Sequence, residues 1–455
     1  MNHKTPPDYF PSDWKFGTDG IRGSVEDKMN PLFMVKLGYA AGISLKEKGI
    51  SEVLIGKDTR ISGYMIESAL EAGFISAGMD VVLLGPLPTP AVAYLAKLRN
   101  QAGLVITGSH NLYQDNGIKI FNRDGFKLSY DLEKEIEEIL LSQEISIVKS
   151  SSLGKATRFI DAQEKYIHFC KSSCSNLDLS GLSIVVDCGN GANYLIAPKT
   201  FSELGASVDC IGISPDGINI NQDCGSTNPE KLRKEVISQK ADLGIGFDGD
   251  GDRLLFIDKL GKILDGDDLL YTLIATGLNN PREKEITKGV VGTLMTNKSL
   301  EIYLKKENID FFRADVGDKY ILRELIKRGW ILGGEPSGHI ICLDTATTGD
   351  ALIAALRVLS SISKFDFDIS STLQNFNKLP QELVNLKVNS PQTIIMNNSI
   401  RSEVSKLEKR LGEEGRVLLR PSGTEPLLRV MVEAVSTNLA KELAGELADF
   451  IQKAA

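Results

Sequence analysis

Residues 104–121 read LVITGSHNLYQDNGIKIF. Leu104-Val105-Ile106 is a short apolar run and predicts a buried strand. It breaks into Thr107-Gly108-Ser109-His110-Asn111. A glycine beside a serine just past a strand end lets a loop hold a side chain out into a cleft. A hydroxyl is a weak nucleophile unless a neighbour activates or polarises it. His110 and Asn111 follow Ser109 directly, and Lys119 comes ten residues later. Alone, the stretch reads equally well as an ordinary strand-to-loop turn with polar filler. Four further glycine-punctuated stretches, each suited to a different part of phosphate chemistry, tip the balance.

The chain around it has 455 residues, too many for one core and enough for three or four domains. Its 42% hydrophobic and 25% charged content is that of an ordinary globular protein. A net charge of -8 argues against a general nucleic-acid binder, but leaves room for an anionic substrate held by a few placed cations. Six cysteines in so long a chain do not make a disulfide scaffold. Cys170 and Cys174 lack a matching second pair of ligands, which disfavours zinc. No segment reaches the roughly 18 apolar residues of a membrane span, and the N-terminus has no apolar targeting core. A cytoplasmic protein without membrane or nucleic-acid partners is expected.

The pattern predicts four units, at 1–155, 156–253, 254–366 and 367–455. In the first, a helix from Met34 and a strand at Glu52–Ile55 precede Gly56-Lys57-Asp58-Thr59-Arg60-Ile61-Ser62-Gly63, a glycine-bounded loop with two cations. A helix at Tyr64–Ala77 and a strand at Val81–Leu84 complete a βαβ unit. Strand Ser183–Asp187, the turn Cys188–Ala192, a helix to Leu204 and strand Ser207–Ile211 repeat that order, a weak internal repeat. Strand Ala241–Phe247 ends in Asp248-Gly249-Asp250-Gly251-Asp252-Arg253. The third unit has strands at Gly289–Thr293 and Asp310–Ala314. The last is smaller, with strands at Val417–Leu419 and Leu428–Val435 and a C-terminal helix.

Asp248, Asp250 and Asp252, separated only by glycines, can fold around one hard cation such as Mg²⁺. An EF-hand would need Gly and Glu where Arg253 and Lys259 stand, so that alternative fails. Arg420-Pro421-Ser422-Gly423-Thr424-Glu425-Pro426 offers a guanidinium, two hydroxyls and free N–H groups, a set matched to a phosphate dianion, with Arg429 adding charge. Glu335, Ser337 and His339 on one loop suit sugar hydroxyls better than phosphate, which the carboxylate would repel. Arg22 stands on the glycine-rich loop Lys15–Gly23 as a fixed positive charge.

Taken in order, FGTDGIRG (16–23), TGSHN (107–111), DNGIK (115–119), DGDGDR (248–253), GEPSGH (334–339) and RPSGTEP (420–426) resemble the active-site motifs of the α-D-phosphohexomutase family. GTLMTN (292–297), RADVGDKY (313–320) and TTGD (347–350) are similar to its phosphoglucosamine branch. The resemblance implies an α/β protein: three related mixed-sheet domains and a smaller C-terminal α+β domain around a central cleft. It implies Ser109 as a phosphoserine that shares one Mg²⁺ with Asp248, Asp250 and Asp252. Arg22 and Lys119 would neutralise charge or shuttle a proton, while His110 and Asn111 support the phosphoserine. Arg253, Glu335, Ser337 and His339 would hold the sugar. Arg420, Ser422, Gly423, Thr424 and Arg429 would hold the phosphate that does not react. The implied substrate is a small sugar phosphate, isomerised through a hexosamine 1,6-bisphosphate by a monomer or homodimer. The chain departs from the family at Gly108 and Leu112, where Ala and Pro are usual. Both changes loosen the serine loop without removing a chemical group. A glucose or mannose phosphate substrate, an aspartyl-phosphate phosphatase built on Asp248, and a non-catalytic sugar-phosphate sensor are the competing readings.

Overall fold

The computed structural model describes residues 10–11, 14–17, 19–141, 145–278, 288–421 and 427–454. Strands β1 (Ile21–Ser24), β2 (Glu52–Lys57), β3 (Asp80–Pro86), β4 (Ala102–Ile106), β5 (Asp115–Phe121) and β6 (Ala156–Arg158) form a sheet in the order β1-β5-β4-β2-β3-β6. A second sheet, β11-β10-β9-β7-β8, is built from β7 (Ser183–Asp187), β8 (Ser207–Ile211), β9 (Leu243–Phe247), β10 (Leu254–Asp258) and β11 (Ile263–Leu264). The third, β13-β12-β14-β15, uses β12 (Gly289–Thr293), β13 (Asp310–Ala314), β14 (Leu332–Gly334) and β15 (Ile340–Cys342). The fourth is antiparallel, β16-β18-β17, from β16 (Gln381–Lys387), β17 (Arg416–Pro421) and β18 (Leu427–Glu433).

The first three sheets share one plan. A central strand (β2, β7 or β12) has a parallel neighbour on each side. The second of those neighbours (β4, β9 or β14) then turns back into an antiparallel strand (β5, β10 or β15). The weak repeat in the sequence is therefore a fold unit present three times. Helices cover the sheets because parallel strands are joined by crossovers. The central strands are buried along almost their whole length, as their apolar runs Val53–Ile55, Ile184–Val186 and Val290–Val291 require. No helix among the described residues is long and apolar enough to cross a membrane.

The sheets place the breaks between units later than the sequence suggested. β6 pairs with β3, which carries the first unit past Lys155 to Arg158. β10 forms a hairpin with β9, Leu254 opposite Phe247, so the second unit continues past Arg253 to Leu264. Beyond residue 366, Ile369, Leu373 and Phe376 are still buried in the core shared with the third unit, which moves that break to the stretch just before β16. Some element ends also differ. The first helix is Pro31–Glu47 and starts ahead of Met34, because the Asn30 side chain accepts from the Phe33 N–H at 2.9 Å and caps it. After Gly191 the helix begins only at Ile196.

One apolar cluster runs through all three large units, from Leu54 and Phe121 through Ile184 and Phe247 to Leu269 and Leu352. The fourth unit has a cluster of its own, formed by residues of β16–β18 and the helices Asn398–Leu411 and Thr437–Ala454.

Candidate active site

The shared plan brings three loops to equivalent places. The Ser109 loop joins β4 to β5, the aspartate loop joins β9 to β10, and the Glu335–His339 loop joins β14 to β15. Each lies at the carboxyl end of a parallel strand, where open α/β sheets bind ligands. In β4 the run Val105↔Lys119, Ile106↔Ile118 continues as Thr107 N–H to the Gly117 carbonyl, and then the chain lifts away. Ser109 has a left-handed backbone, φ 51°, uncommon for a residue with a Cβ. Its N–H donates to Thr107 Oγ1 at 2.8 Å, and its Oγ donates to Asp248 Oδ2 at 3.0 Å. Ser109 is fully buried.

Asp248, Asp250 and Asp252 are buried and each offers an oxygen within 4.8 Å of the others. Lys119, on β5, reaches them with Nζ 2.9 Å from Asp250 Oδ2 and 3.0 Å from Asp252 Oδ2. Asp19 Oδ2 lies 3.4 Å from the same ammonium and also pairs with Arg22 and Lys127. Burial works against the Lys119 charge, but Asp19, Asp250 and Asp252 outweigh it and raise its pKa well above the ordinary lysine value. Burial also pushes Asp248 well above the usual carboxylate range, with Asp252 and Asp250 adding to the effect. In Asp252 burial is overcome by Lys119 and His339, and its pKa falls well below that range. Lys119 thus pairs with two of the three carboxylates, while burial and its neighbours weigh against charge on Asp248. Asp250 Oδ1 and Asp252 Oδ1 are buried without a hydrogen-bond partner. Such a set of hard oxygens, with lone pairs left unused, fits a divalent cation such as Mg²⁺.

The other expected residues divide into two groups. Arg22 is on β1, opposite Gly117 on β5, and so on the face that carries Lys119. His110 is pushed down to about 4, by burial first and then by Arg253 and Arg22, and its Nδ1 has no partner. Arg253 Nε is 3.8 Å from Asp252 Oδ1. Ser337 Oγ donates to Glu335 Oε1 at 2.7 Å, so these two belong together. His339 is buried between Asp252 and Asp318, each 3.7 Å away, with Glu335 also near enough to act on its charge. Asn111 Nδ2 donates to Asp115 Oδ2 at 2.9 Å and braces its own loop. Arg420 and Arg429 face each other across β17 and β18, a like-charge pair that disfavours the hairpin unless an anion joins it. Ser422, Gly423 and Thr424 lie outside the described residues.

Sequence reasoning missed several contributors. Asp19 stands in the Arg22 loop, where nothing in the local pattern sets it apart. Thr89, in a proline-rich stretch, donates to Asp250 Oδ2 at 2.6 Å. Arg60 and Asn221 both donate to the Ser109 carbonyl. The loop Gly56–Gly63 was a visible signal for Arg60. Asn221 had none, because only the folded chain brings its loop to Ser109.

Comparison with known proteins agrees with this geometry. Family models described as Phosphoglucomutase/phosphomannomutase match in chain order: alpha/beta/alpha domain I at residues 13–145, domain II at 162–261, domain III at 265–379 and the C-terminal domain at 383–450. A phosphoglucosamine mutase of Alcanivorax borkumensis is 51% identical over 96% of this chain and 98% of its own. One from Legionella pneumophila (strain Paris) is 52% identical, with 96% of each chain covered. The fold also matches the crystal structure of a phosphoglucomutase/phosphomannomutase family protein from Burkholderia thailandensis, with TM-score 0.83, 23% identity and 98% of each chain covered. With all four domain models matched in order and half the residues shared along nearly the full length, the chain belongs to the phosphoglucomutase/phosphomannomutase family of phosphohexomutases.

Proposed function

We propose that this protein interconverts glucosamine 6-phosphate and glucosamine 1-phosphate, with Ser109 carrying the phosphoryl group in transit. The observation that carries the reading is Ser109 Oγ, 3.0 Å from Asp248 Oδ2 at the edge of the buried aspartate triad, with Lys119 across it. The choice of sugar rests on the near full-length relatives that bear the phosphoglucosamine mutase name.

A sugar hydroxyl oxygen attacks the phosphorus on Ser109. The P–Oγ bond breaks, a new P–O bond forms, and the proton of the sugar hydroxyl ends on Ser109 Oγ, the leaving group, which is left as a free hydroxyl. The resulting hexosamine 1,6-bisphosphate turns end over end, and Ser109 Oγ takes back the other phosphoryl group. Phosphoryl transfer needs positioning and charge neutralisation more than covalent help. A Mg²⁺ held by Asp248, Asp250, Asp252 and the Ser109 phosphate would supply Lewis-acid neutralisation. Lys119 and Arg22 add fixed positive charge on the same side, and Arg253 sits beside it. Glu335 and Ser337 meet the sugar hydroxyls. His339 acts through Asp252 rather than on the sugar. Arg420 and Arg429, with Ser422, Gly423 and Thr424, hold the phosphate that is not reacting.

Peptide mass spectrometry before and after brief incubation with Mg²⁺ and glucosamine 6-phosphate tests this. Phosphate on the Ser109 peptide that passes to the sugar is the expected result. A Ser109 that stays unmodified even after priming with glucosamine 1,6-bisphosphate would sink the reading.

A further inference from the structure

The loop Gly56–Gly63 has no assigned part in the reaction, yet its Arg60 is among the largest fully buried side chains of the protein. A buried guanidinium is costly unless its donors are used. Arg60 pairs through Nη1 with Asp58 Oδ2. Its Nε donates to the Asp115 carbonyl at 2.8 Å, and its Nη2 to the carbonyls of Ser109, at 3.3 Å, and Asn111. Three carbonyls of one loop are thus gathered on one planar group.

Asp58 completes the arrangement on the other side of Ser109. Thr107 Oγ1 donates to Asp58 Oδ2 at 2.7 Å and itself accepts from the Ser109 N–H at 2.8 Å. The second unit adds a second fork: Asn221 Nδ2 donates to the Ser109 carbonyl at 2.8 Å and to the Asn111 carbonyl at 2.9 Å. The carbonyl after Ser109 is therefore held from outside its loop by Arg60 and Asn221, while its N–H is held within the loop by Thr107, which Asp58 anchors in turn. The metal loop also presses on the same carbonyl, since a Cβ on Gly249 would stand 2.6 Å from it and 2.8 Å from Asn221 Nδ2.

We propose that Arg60 and Asn221 are positioning residues that hold Ser109 in its left-handed conformation, and so set its Oγ against the aspartate triad. The proposal rests on Ser109 being the phosphoryl carrier. Left-handed φ in a residue with a Cβ costs of the order of a kcal/mol and persists only where the surroundings impose it. Because Asp58 neutralises Arg60 within a buried pair, the contribution is directional rather than a field on the phosphate. Asn221 has no charge at all and makes the same two carbonyl contacts. Displacing reacting atoms by ~1 Å lowers turnover by up to ~100-fold.

The test compares wild type, Asn221→Ala and Arg60→Lys with glucosamine 6-phosphate and Mg²⁺. Arg60→Lys keeps the charge facing Asp58 but cannot span three carbonyls. Turnover, KM, melting temperature and the fraction of phosphoserine lost to water instead of sugar are measured. We expect kcat to fall about 10–100-fold in Asn221→Ala, the range seen when outer partners of a reactive group are removed. KM should stay within about twofold, because the sugar and its distal phosphate are held by other units. Hydrolysis should take a larger share, and the double variant should lose less than the product of the two single losses. Wild-type turnover with kcat within twofold of it in Asn221→Ala overturns the proposal, as does a loss confined to KM or one that follows the melting temperature alone. A wild type that neither carries phosphate on Ser109 nor turns over overturns the functional reading itself, and this proposal with it.

Discussion

Two junctions of this molecule are built in opposite ways. Where the first unit meets the second, Ser109, Asn221, Thr89 and the aspartate loop are locked by buried hydrogen bonds beside an apolar cluster that runs on into the third unit. Where the third unit meets the fourth, the fourth keeps its own apolar cluster and polar groups make the joint. Arg416 pairs with the buried Glu433 on the neighbouring strand and donates to the Leu294 and Thr296 carbonyls at 2.8 Å each. Glu433 also accepts from the Lys298 N–H, and the adjacent Asn297 exchanges two hydrogen bonds with Leu379 in the stretch that leads into β16. Separating apolar cores costs roughly 25 cal/mol per Å². Polar groups that part can be taken up by water, so their net loss is about 1 kcal/mol each. The first junction suits chemistry that needs fixed atoms. The second suits a unit that opens to admit substrate and closes to exclude water.

The sharpest way to break the contrast is at its rigid side. Ser109→Ala removes the atom that carries the phosphoryl group, and turnover should fall by more than about 10³-fold. Its Oγ makes one hydrogen bond, to Asp248, so the melting temperature should hardly move. A variant with a tenth of wild-type activity would show that Ser109 is not the carrier.

Removing the divalent cation comes next. After chelation and dialysis, turnover should drop about 100-fold or more and return with Mg²⁺. The cation should also raise the melting temperature, because it binds the folded triad and not the unfolded chain. The same titration on Asp250→Asn should show a weaker shift. Equal shifts in both proteins would place the ion elsewhere.

On the side of the fourth unit, Arg420→Ala should act on binding rather than chemistry. Loss of a charge-assisted phosphate contact is worth about 1.5–3 kcal/mol, which is a rise in KM of roughly 10–100-fold. We expect kcat to change by less than about threefold. A collapse of kcat at unchanged KM would mean that this hairpin takes part in the chemical step and that the two junctions are not functionally distinct.

The contrast also governs what could be read from the sequence. The rigid centre was largely legible, because its groups sit on loops that follow apolar strands: Ser109 after Leu104–Ile106, and Asp248 after Leu243–Phe247. Strands such as Ser183–Asp187 matched to the residue, since an Ile-Val-Val run is both buried and β-prone. β5 was missed because Asp115-Asn116-Gly117 are turn formers. Tertiary pairing with β1 and β4 overrides them and aims Lys119 at the triad. The burial of His339 against Asp252, and the convergence of Arg60 and Asn221 on one carbonyl, depend on contacts between residues more than 40 apart. No local pattern encodes such contacts. The polar joint was illegible for the same reason: Arg416, Glu433 and Asn297 look like surface residues until the fold places them together.

The smallest effect tests the third unit's side of the joint through pH. Asp267 lies in the first turn of the helix Gly266–Gly277 and accepts from the Asn297 N–H at 2.8 Å, while its Oδ1 is buried without a partner. Asp265, Asp268 and Lys378 surround it, the lysine pairing with both other aspartates. Burial first, and then Asp265, push Asp267 up to about 8, against the pull of the Asn297 N–H and Lys378. Its folded pKa is thus raised above the unfolded value of about 3.9, so the folded state holds a proton that the unfolded chain has lost. The stability tied to that proton is complete below about 3.9 and is lost as pH rises toward about 8, above which the curve is flat. Asp267→Asn keeps the neutral shape at every pH. Its melting temperature should therefore gain on wild type steadily between pH 5 and pH 8, and KM for the sugar phosphate should rise above pH 8 only in wild type. Parallel melting curves across that range would show that Asp267 is ionised throughout. The joint would then be held by Arg416 and Glu433 without any contribution from protonation.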